Sequence, residues 1–424
     1  MNATRAEISE SHLPAAVGER YSDVRRQTDR LVEGLSADDQ MVQSTSEASP
    51  TKWHLAHTSW FFETFILIPH RAGYKPIDPR FTFLFNSYYK QLDGHPQRSI
   101  RGTFSRPTLD EVQRYRGHVD AAMVEFVSRS ADPRVWELLE LGLNHEQQHQ
   151  ELIVTDIKHA FWTNPLRPSY RETASPKSHA PPALSWVGFD EGVYEIGHAG
   201  RGFAFDNERP RHRVYQQGFR LGSRLVTNAE YLDFMANGGY RRPELWLSDG
   251  WDQVCANGWR SPLYWEDRDG EWWTFTCSGM KLLDLSEPLC HVSHYEADAF
   301  ARWAGARLPS EAEWEIAAAE VTPTGTLLES ERFHPATAPA GPGLQQMFGD
   351  VWEWTSSPYV AYPGYRAPEG VLGEYNGKFM CNQMVLRGGS CATPASHIRA
   401  SYRNFFPPHA RWQFSGIRLA NDRA

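Results

Sequence analysis

The sequence predicts a helical first part followed by an α+β second part, a fold class of α + (α+β). Three observations carry this. Apolar residues recur at helical spacing across most of 15–161. A stretch rich in proline and serine, 164–184, then interrupts the pattern. Beyond it, short β-like runs, tryptophan pairs and glycine turns dominate. A chain of 424 residues exceeds what one ordinary hydrophobic core organises. Two domains are therefore expected, 1–165 and 185–424, joined by a linker over 166–184.

Taken in order, helical periodicity over 15–35 predicts the first helix. The same pattern over 51–68 predicts the second, ending ahead of Pro69, which cannot continue a helical ladder. Thr108 reads as an N-cap with Glu111 as its capping-box partner, and the helix that follows runs to about Val127. Asp132-Pro133 opens a fourth helix that continues to about Phe161. Four long helices with few strand signals form a bundle. Between the second and third, 81–106 is a long connection rich in aromatics and arginines, and connections of that length are often functional. In the second part, 228–236 and 293–304 read as helices. A third helix begins at Ser310, capped with Glu313. No fixed-period repeat is evident.

Composition narrows the function. A net charge of −9 argues against nucleic acid or an anionic membrane as the main partner, since both need a basic face. The five cysteines, Cys255, Cys277, Cys290, Cys381 and Cys391, are irregularly spaced with no CxxC, against a disulfide scaffold or a cysteine-rich zinc site. The N-terminus lacks the apolar core of a signal peptide. The most apolar stretch, 60–69, is too short to span a bilayer and carries Glu63. A reducing cytoplasm is the expected compartment. The 16 Trp, 17 Tyr and 22 Phe first of all fill cores, although aromatic faces also cage quaternary ammonium groups.

The sharpest chemical signal is His145-Glu146-Gln147-Gln148-His149. On a helix, His145 and His149 stand one turn apart on one face, as two metal ligands must. The spelling fits H-E-x-x-H, so a zinc metalloprotease with Glu146 as base is one reading. Two glutamines occupy its middle positions, and no third protease ligand follows. A bundle partner offers two further imidazoles, His54 and His57, in Lys52-Trp53-His54-Leu55-Ala56-His57. Any one of these histidines alone reads as an ordinary core residue; together they read as a metal site. Imidazole ligands suit iron, zinc, copper or nickel, so the ligand set does not choose the metal. Glu146 and Glu151 are candidates to orient the ring N–H groups.

These residues resemble a known family. W-H-L-A-H with Glu63 six residues on, then H-E-Q-Q-H-x-E, resembles the DinB-like iron-binding four-helix bundle of ergothioneine-biosynthesis sulfoxide synthases. Arg307-Leu308-Pro309-Ser310-Glu311-Ala312-Glu313-Trp314-Glu315, Gly349-Asp350-Val351-Trp352-Glu353-Trp354, Arg387-Gly388-Gly389-Ser390 and Ser415-Gly416-Ile417-Arg418-Leu419 resemble the formylglycine-generating-enzyme (sulfatase-modifying factor) domain, a C-type-lectin-like fold. The resemblance implies that His57, His145 and His149 bind Fe(II). It implies that O2 and a donor thiol react there with the imidazole of hercynine, the trimethylated betaine of histidine, to give a C–S bond and a sulfoxide.

The same resemblance assigns further roles. Tyr88 and Tyr89 match active-site tyrosines of one branch of the family, and a phenol can supply a proton. Gln148 matches a glutamine that contacts the substrate imidazole. Asn404, with the aromatic positions Phe405 and Phe406, matches residues that hold hercynine, and Trp412 is a further apolar wall. Relatives that use γ-glutamylcysteine carry an acidic residue where Phe406 stands, which favours free cysteine as donor here. Arg98 and Arg101 are candidates to clamp the donor carboxylate.

Rival readings follow from departures. Cys391 after RGGS has no second cysteine beside it, against formylglycine generation. Ovothiol-type relatives carry an appended methyltransferase domain, whereas this sequence stops soon after SGIRLA. A selenoneine synthase, using a selenosugar, would look similar. A non-catalytic binding module is the alternative of another class.

Overall fold

The computed structural model describes residues 14–92, 94–173, 179–200 and 202–422. It divides into two compact units, Met1–Ala160 and Phe161–Ala424.

The first unit is helical. Its long elements are α1 (Pro14–Val32), α2 (Thr51–Phe62), α5 (Leu109–Val127) and α6 (Pro133–Thr163), with short turns α3 (Ile68–His70) and α4 (Phe81–Leu84) between the second and third. Helix α1 stops at Val32, short of Leu35, and Gly34 follows in the left-handed region at φ +85°. The expected stop before Pro69 is corrected: a π-helical turn, Glu63–Leu67, follows α2 and the chain stays helical through Pro69 to His70. The widened turn interrupts the i→i−4 ladder just ahead of the proline, so the missing N–H falls where regular bonding has already lapsed. The capping box of α5 forms as read, Thr108 accepting from the Glu111 N–H at 3.3 Å and Glu111 accepting from the Thr108 N–H at 2.6 Å. Gly142 lets α2 and α6 approach closely, since a Cβ there would meet Phe62 at 2.5 Å.

At the centre of this unit Glu146, on α6, is wholly buried. Arg25 of α1 donates to it at 2.9 Å, Arg116 of α5 at 3.1 Å and the Thr28 hydroxyl at 2.7 Å. Arg25 also donates to Ser59 of α2 at 2.8 Å, so one network reaches all four long helices.

The second unit mixes short helices with small sheets. Its helices are α7 (Asn228–Ala236), α8 (Ser248–Asn257), α9 (His294–Trp303) and α10 (Glu311–Ala318). Three of these match the reading, with Ser293 and Ser310 as N-caps. Helix α8 was not expected. Strands β1 (Trp186–Phe189), β4 (Phe219–Gly222) and β12 (Ala420–Asp422) form one sheet, while β2 (Gly192–Ile196) pairs with β3 (His212–Gln216). Strands β5 (Trp265–Arg268), β6 (Glu271–Thr276) and β7 (Gly279–Leu282) form a meander. A fourth sheet has the order β10 (Asn404–Phe406), β9 (Met384–Arg387), β8 (Trp352–Pro358), β11 (Ser415–Gly416), the last pair parallel. The described start of the proline-rich stretch is bound to this unit, Tyr170 and Arg171 both donating backbone N–H to the Cys277 carbonyl. Residues 174–178 of the expected linker lie outside the described residues.

The sequence motifs of this unit meet in its core. Glu353 of the second motif accepts from Trp314 of the first at 2.9 Å and from Arg418 of the fourth at 2.7 Å. Arg387 of the third pairs with Glu315 of the first. Among the described residues, no helix is long and apolar enough to cross a membrane.

The Glu146 network makes a stability prediction. Burial raises the Glu146 carboxyl, but the Arg25 and Arg116 charges outweigh it and hold the group down at about 2. A folded-state value below the unfolded one, about 4.3, contributes stability that is present above that pH and is lost as pH falls toward 2. Glu146→Gln is expected to cost about 3 kcal/mol at pH 7, because it removes the buried anion that Arg25 and Arg116 share and leaves them only their more exposed partners, Asp120 and Asp29. It should also flatten the acid limb. Urea unfolding followed by helical circular dichroism checks both, and wild-type stability in the variant would refute the structural role.

Candidate metal centre

Helices α2 and α6 bring three of the predicted residues together. His57 comes from α2, and His145 and His149 come one turn apart from α6. His57 donates its Nδ1–H to the Phe85 carbonyl at 2.6 Å, which leaves a lone pair on Nε2. That nitrogen lies 3.2 Å from His145 Nε2, which lies 3.1 Å from His149 Nε2. All three residues are buried, and their ligand atoms fall within 4.8 Å of one another. Ring nitrogens gathered this closely fit a single cation, which each can reach at about 2.1 Å. Burial keeps the imidazoles neutral, with His145 pushed down to about 3 and His57 and His149 well below the ordinary value.

The surroundings hold the rings in place. Trp53 and Trp60 both lie nearly parallel to His57, with centroids at 4.4 and 5.2 Å and interplanar angles of 15°. Behind His149, His54 Nδ1 lies 2.7 Å from His149 Nδ1, and His54 Nε2 lies 3.0 Å from Asp156. His54 is thus not in the three-nitrogen cluster. Both oxygens of Glu146 are taken up by Arg25, Arg116 and Thr28. The carboxylate is therefore committed elsewhere, which removes the base that a metalloprotease reading requires and one of the two candidates for orienting the ring N–H groups. Glu151, the other, is buried.

The remaining predicted residues fall in several places. Tyr89 is buried, with its ring 5.7 Å from Trp60 and 4.6 Å from the half-buried Tyr88. Gln148 is half-buried on α6, between the two helix histidines. Arg101 is buried with its guanidinium 3.5 Å over Trp53, donating to Ser49 at 2.9 Å and Ser87 at 3.1 Å. Burial, helped by Arg98, pushes its guanidinium down to about 9. Arg98 is more exposed and pairs with Glu47 at 3.6 Å. Asn404, Phe405 and Phe406 belong to the second unit, on β10. Asn404 accepts from the Phe405 N–H at 2.9 Å, Phe405 stacks on Tyr359 at 4.0 Å, and Phe406 meets Trp412 edge-on at 6.3 Å. None of the five cysteines is in a disulfide, and Cys391 is buried.

Sequence reasoning missed the supports. Trp53, His57 and Trp60 stand at i, i+4 and i+7, one helical face, and that spacing signals a stacked layer. Asn86 gave no signal. It is fully buried, accepts from the Tyr88 and Tyr89 N–H groups at 3.2 and 3.0 Å, and donates to the Tyr89 and Gly94 carbonyls at 2.7 and 2.9 Å. It thereby sets the turn that carries both tyrosines.

Residues 172–423 match the family described as the sulfatase-modifying factor enzyme 1-like domain, a match that begins inside the stretch read as a linker. The chain is 34% identical to hercynine oxygenase of Mycolicibacterium thermoresistibile, over 96% of this chain and 95% of that protein. It is 31% identical to hercynine oxygenase of Mycobacterium tuberculosis, over 88% and 91%. The formylglycine-generating enzyme of Streptomyces coelicolor is 30% identical, but over only 54% of this chain and 87% of its own length. The class is thus a sulfatase-modifying-factor domain, C-type-lectin-like in fold, joined to a helical unit with a buried three-histidine cluster compatible with a metal. Within that class the chain belongs to the hercynine oxygenase family of ergothioneine biosynthesis.

Removing one ligand tests the centre. His149→Ala is expected to abolish tight binding of Co(II) in equilibrium dialysis while near-ultraviolet dichroism of the tryptophan-rich second unit stays intact. Wild-type metal content in that variant would refute the ligand set.

Proposed function

We propose that this protein is an Fe(II)- and O2-dependent sulfoxide synthase that joins the sulfur of cysteine to the imidazole ring of hercynine. The observation that carries the reading is the convergence of three neutral, buried imidazole nitrogens in a chain whose near full-length relatives are hercynine oxygenases. In this reading the first unit is a DinB-like bundle, and His57, His145 and His149 hold the iron. Bound iron would supply O2 activation and a coordination position for the donor thiolate. A reducing cytoplasm, which keeps that thiol free, is the compartment this chemistry calls for.

The chain's own residues do the rest. Neutral ligands leave the ion its full positive charge, which favours a thiolate over a thiol. Trp53 and Trp60 clamp His57 against rotation. The Asn86 turn holds Tyr89 against Trp60, in the ring layer next to a ligand, where a phenol can deliver a proton. Gln148 is a neutral amide partner for the substrate imidazole, and Arg98 and Arg101 are the proposed partners of the donor carboxylate. Asn404, Phe405 and Phe406 are proposed to hold hercynine, the aromatic rings facing its trimethylammonium group. Phe406 cannot bind an ammonium as an acidic residue would, which favours free cysteine over γ-glutamylcysteine.

Mass spectrometry of aerobic products tests this, with iron-loaded enzyme, hercynine, and cysteine, γ-glutamylcysteine or a selenosugar in separate reactions. Hercynyl-cysteine sulfoxide formed fastest from cysteine is the expected result. Product from the selenosugar alone would move the enzyme to selenoneine synthesis, and no bound metal with no product would leave a binding module. Tyr88→Phe or Tyr89→Phe is expected to divert turnover toward simple thiol oxidation. An unchanged product ratio in both variants would remove the tyrosines from the mechanism.

A further inference from the structure

We infer that Asp156 and His54 form a positioning pair that selects the tautomer of His149 and aims its Nε2 lone pair into the three-histidine cluster. The inference rests on that cluster being a metal centre. It adds a role for two residues outside the ligand set.

The protons along one buried line of side chains can each be assigned to an atom. Asp156 Oδ2 accepts from the Ser49 backbone N–H at 2.9 Å and stands 3.0 Å from His54 Nε2. A carboxylate oxygen only accepts, so the proton of His54 sits on Nε2. The other arrangement would set a bare ring nitrogen against a carboxylate lone pair. With its one proton on Nε2, neutral His54 presents Nδ1 as an acceptor. His149 Nδ1 lies 2.7 Å from it, so the single proton in that contact belongs to His149. The Nε2 atom of His149 is then a bare lone pair, 3.1 Å from His145 Nε2. All three residues are buried, so water does not compete for these bonds.

The helices make the line possible. His54 and His57 stand three residues apart on α2, about 60° around the helix from each other. One therefore faces the cluster, and the other faces the back of a ligand from α6. Asp156 stands seven residues, about two turns, beyond His149 on α6 and reaches His54 from the same helix that carries the ligand it supports.

The test uses the whole chain and Co(II) alone as probe, with affinity read by chelator competition and the site by its visible absorption. His54→Leu removes the acceptor and is expected to weaken Co(II) binding at least tenfold, in the 10–100-fold range of such outer partners. His54→Asn, whose amide oxygen can take the place of Nδ1, is expected to recover at least threefold of that loss. A loss below tenfold, or a smaller recovery, would overturn the inference. Should His54→Leu fail to fold, long-range 1H–15N correlation of the imidazoles in the Zn(II)-loaded wild type decides. A proton on His54 Nε2 and on His149 Nδ1 supports the pair, and any other tautomer for either ring overturns it. Wild-type protein that binds no Co(II) or Zn(II) would sink the metal centre itself, whereas metal-binding wild type with unaffected variants would sink only the positioning pair.

Discussion

Glu146 sits at the middle of the helical unit with no exposure to water, between the guanidinium groups of Arg25 and Arg116. A carboxylate in that position is costly to desolvate and is tolerated only because two cations and a hydroxyl surround it. Those partners come from α1 and α5, and Arg25 reaches on to α2. The residue before Glu146 in the chain is His145. The network that locks the register of the four helices therefore also sets the rotation of α6, and with it the direction in which His145 and His149 point. The buried charge cannot relax toward solvent, so a slip of α1, α5 or α6 would break a buried ion pair.

On the other side of the cluster the constraint is shape. Two indoles clamp His57 in a stack, and Gly142 allows α2 to approach α6 closely enough for the ring nitrogens to meet. The tyrosine turn is added to this layer through Trp60, and the amide of Asn86 fixes its backbone. The three histidines, their stacking partners and the neighbouring phenol thus form one packed body. Enzymes hold catalytic groups in place by packing of this kind.

The second unit has a different logic. Its sheets are small and its strands short, so regular ladders contribute less of the fold. Four sequence motifs instead converge through buried ion pairs, Glu353 with Arg418 and Trp314, and Arg387 with Glu315. Arg403, just ahead of Asn404, pairs with Glu311 of the first motif, so the same network anchors the start of β10. That is the strand on which the proposed hercynine residues stand.

Much of this was legible in the residues. Helical spacing and capping pairs located α1, α2, α5 and α6 and the helices beginning after Thr227, Ser293 and Ser310, because those signals are local and act within one or two turns. The H-E-Q-Q-H spacing placed two imidazoles on one face by helix geometry alone. Local signals misjudged Pro69, where a π-helical turn had already interrupted the regular ladder, and they passed over α8, Asn86 and the parallel pairing of β11 with β8. Glu146 is the clearest case of what the tertiary structure decided. The sequence allowed it as a base or a ring-orienting group. Burial between two arginines that lie 121 and 30 residues away removed both roles. His54 is the second case: by residue type it was a ligand candidate beside His57, which the family resemblance preferred, and the contact across 95 residues to His149 places it outside the three-nitrogen cluster. The sequence by itself determined which side chains share a helix face, because that depends on a fixed 100° step per residue. Which nitrogen faces which partner depends on how helices distant in sequence pack, and only the folded chain decides that.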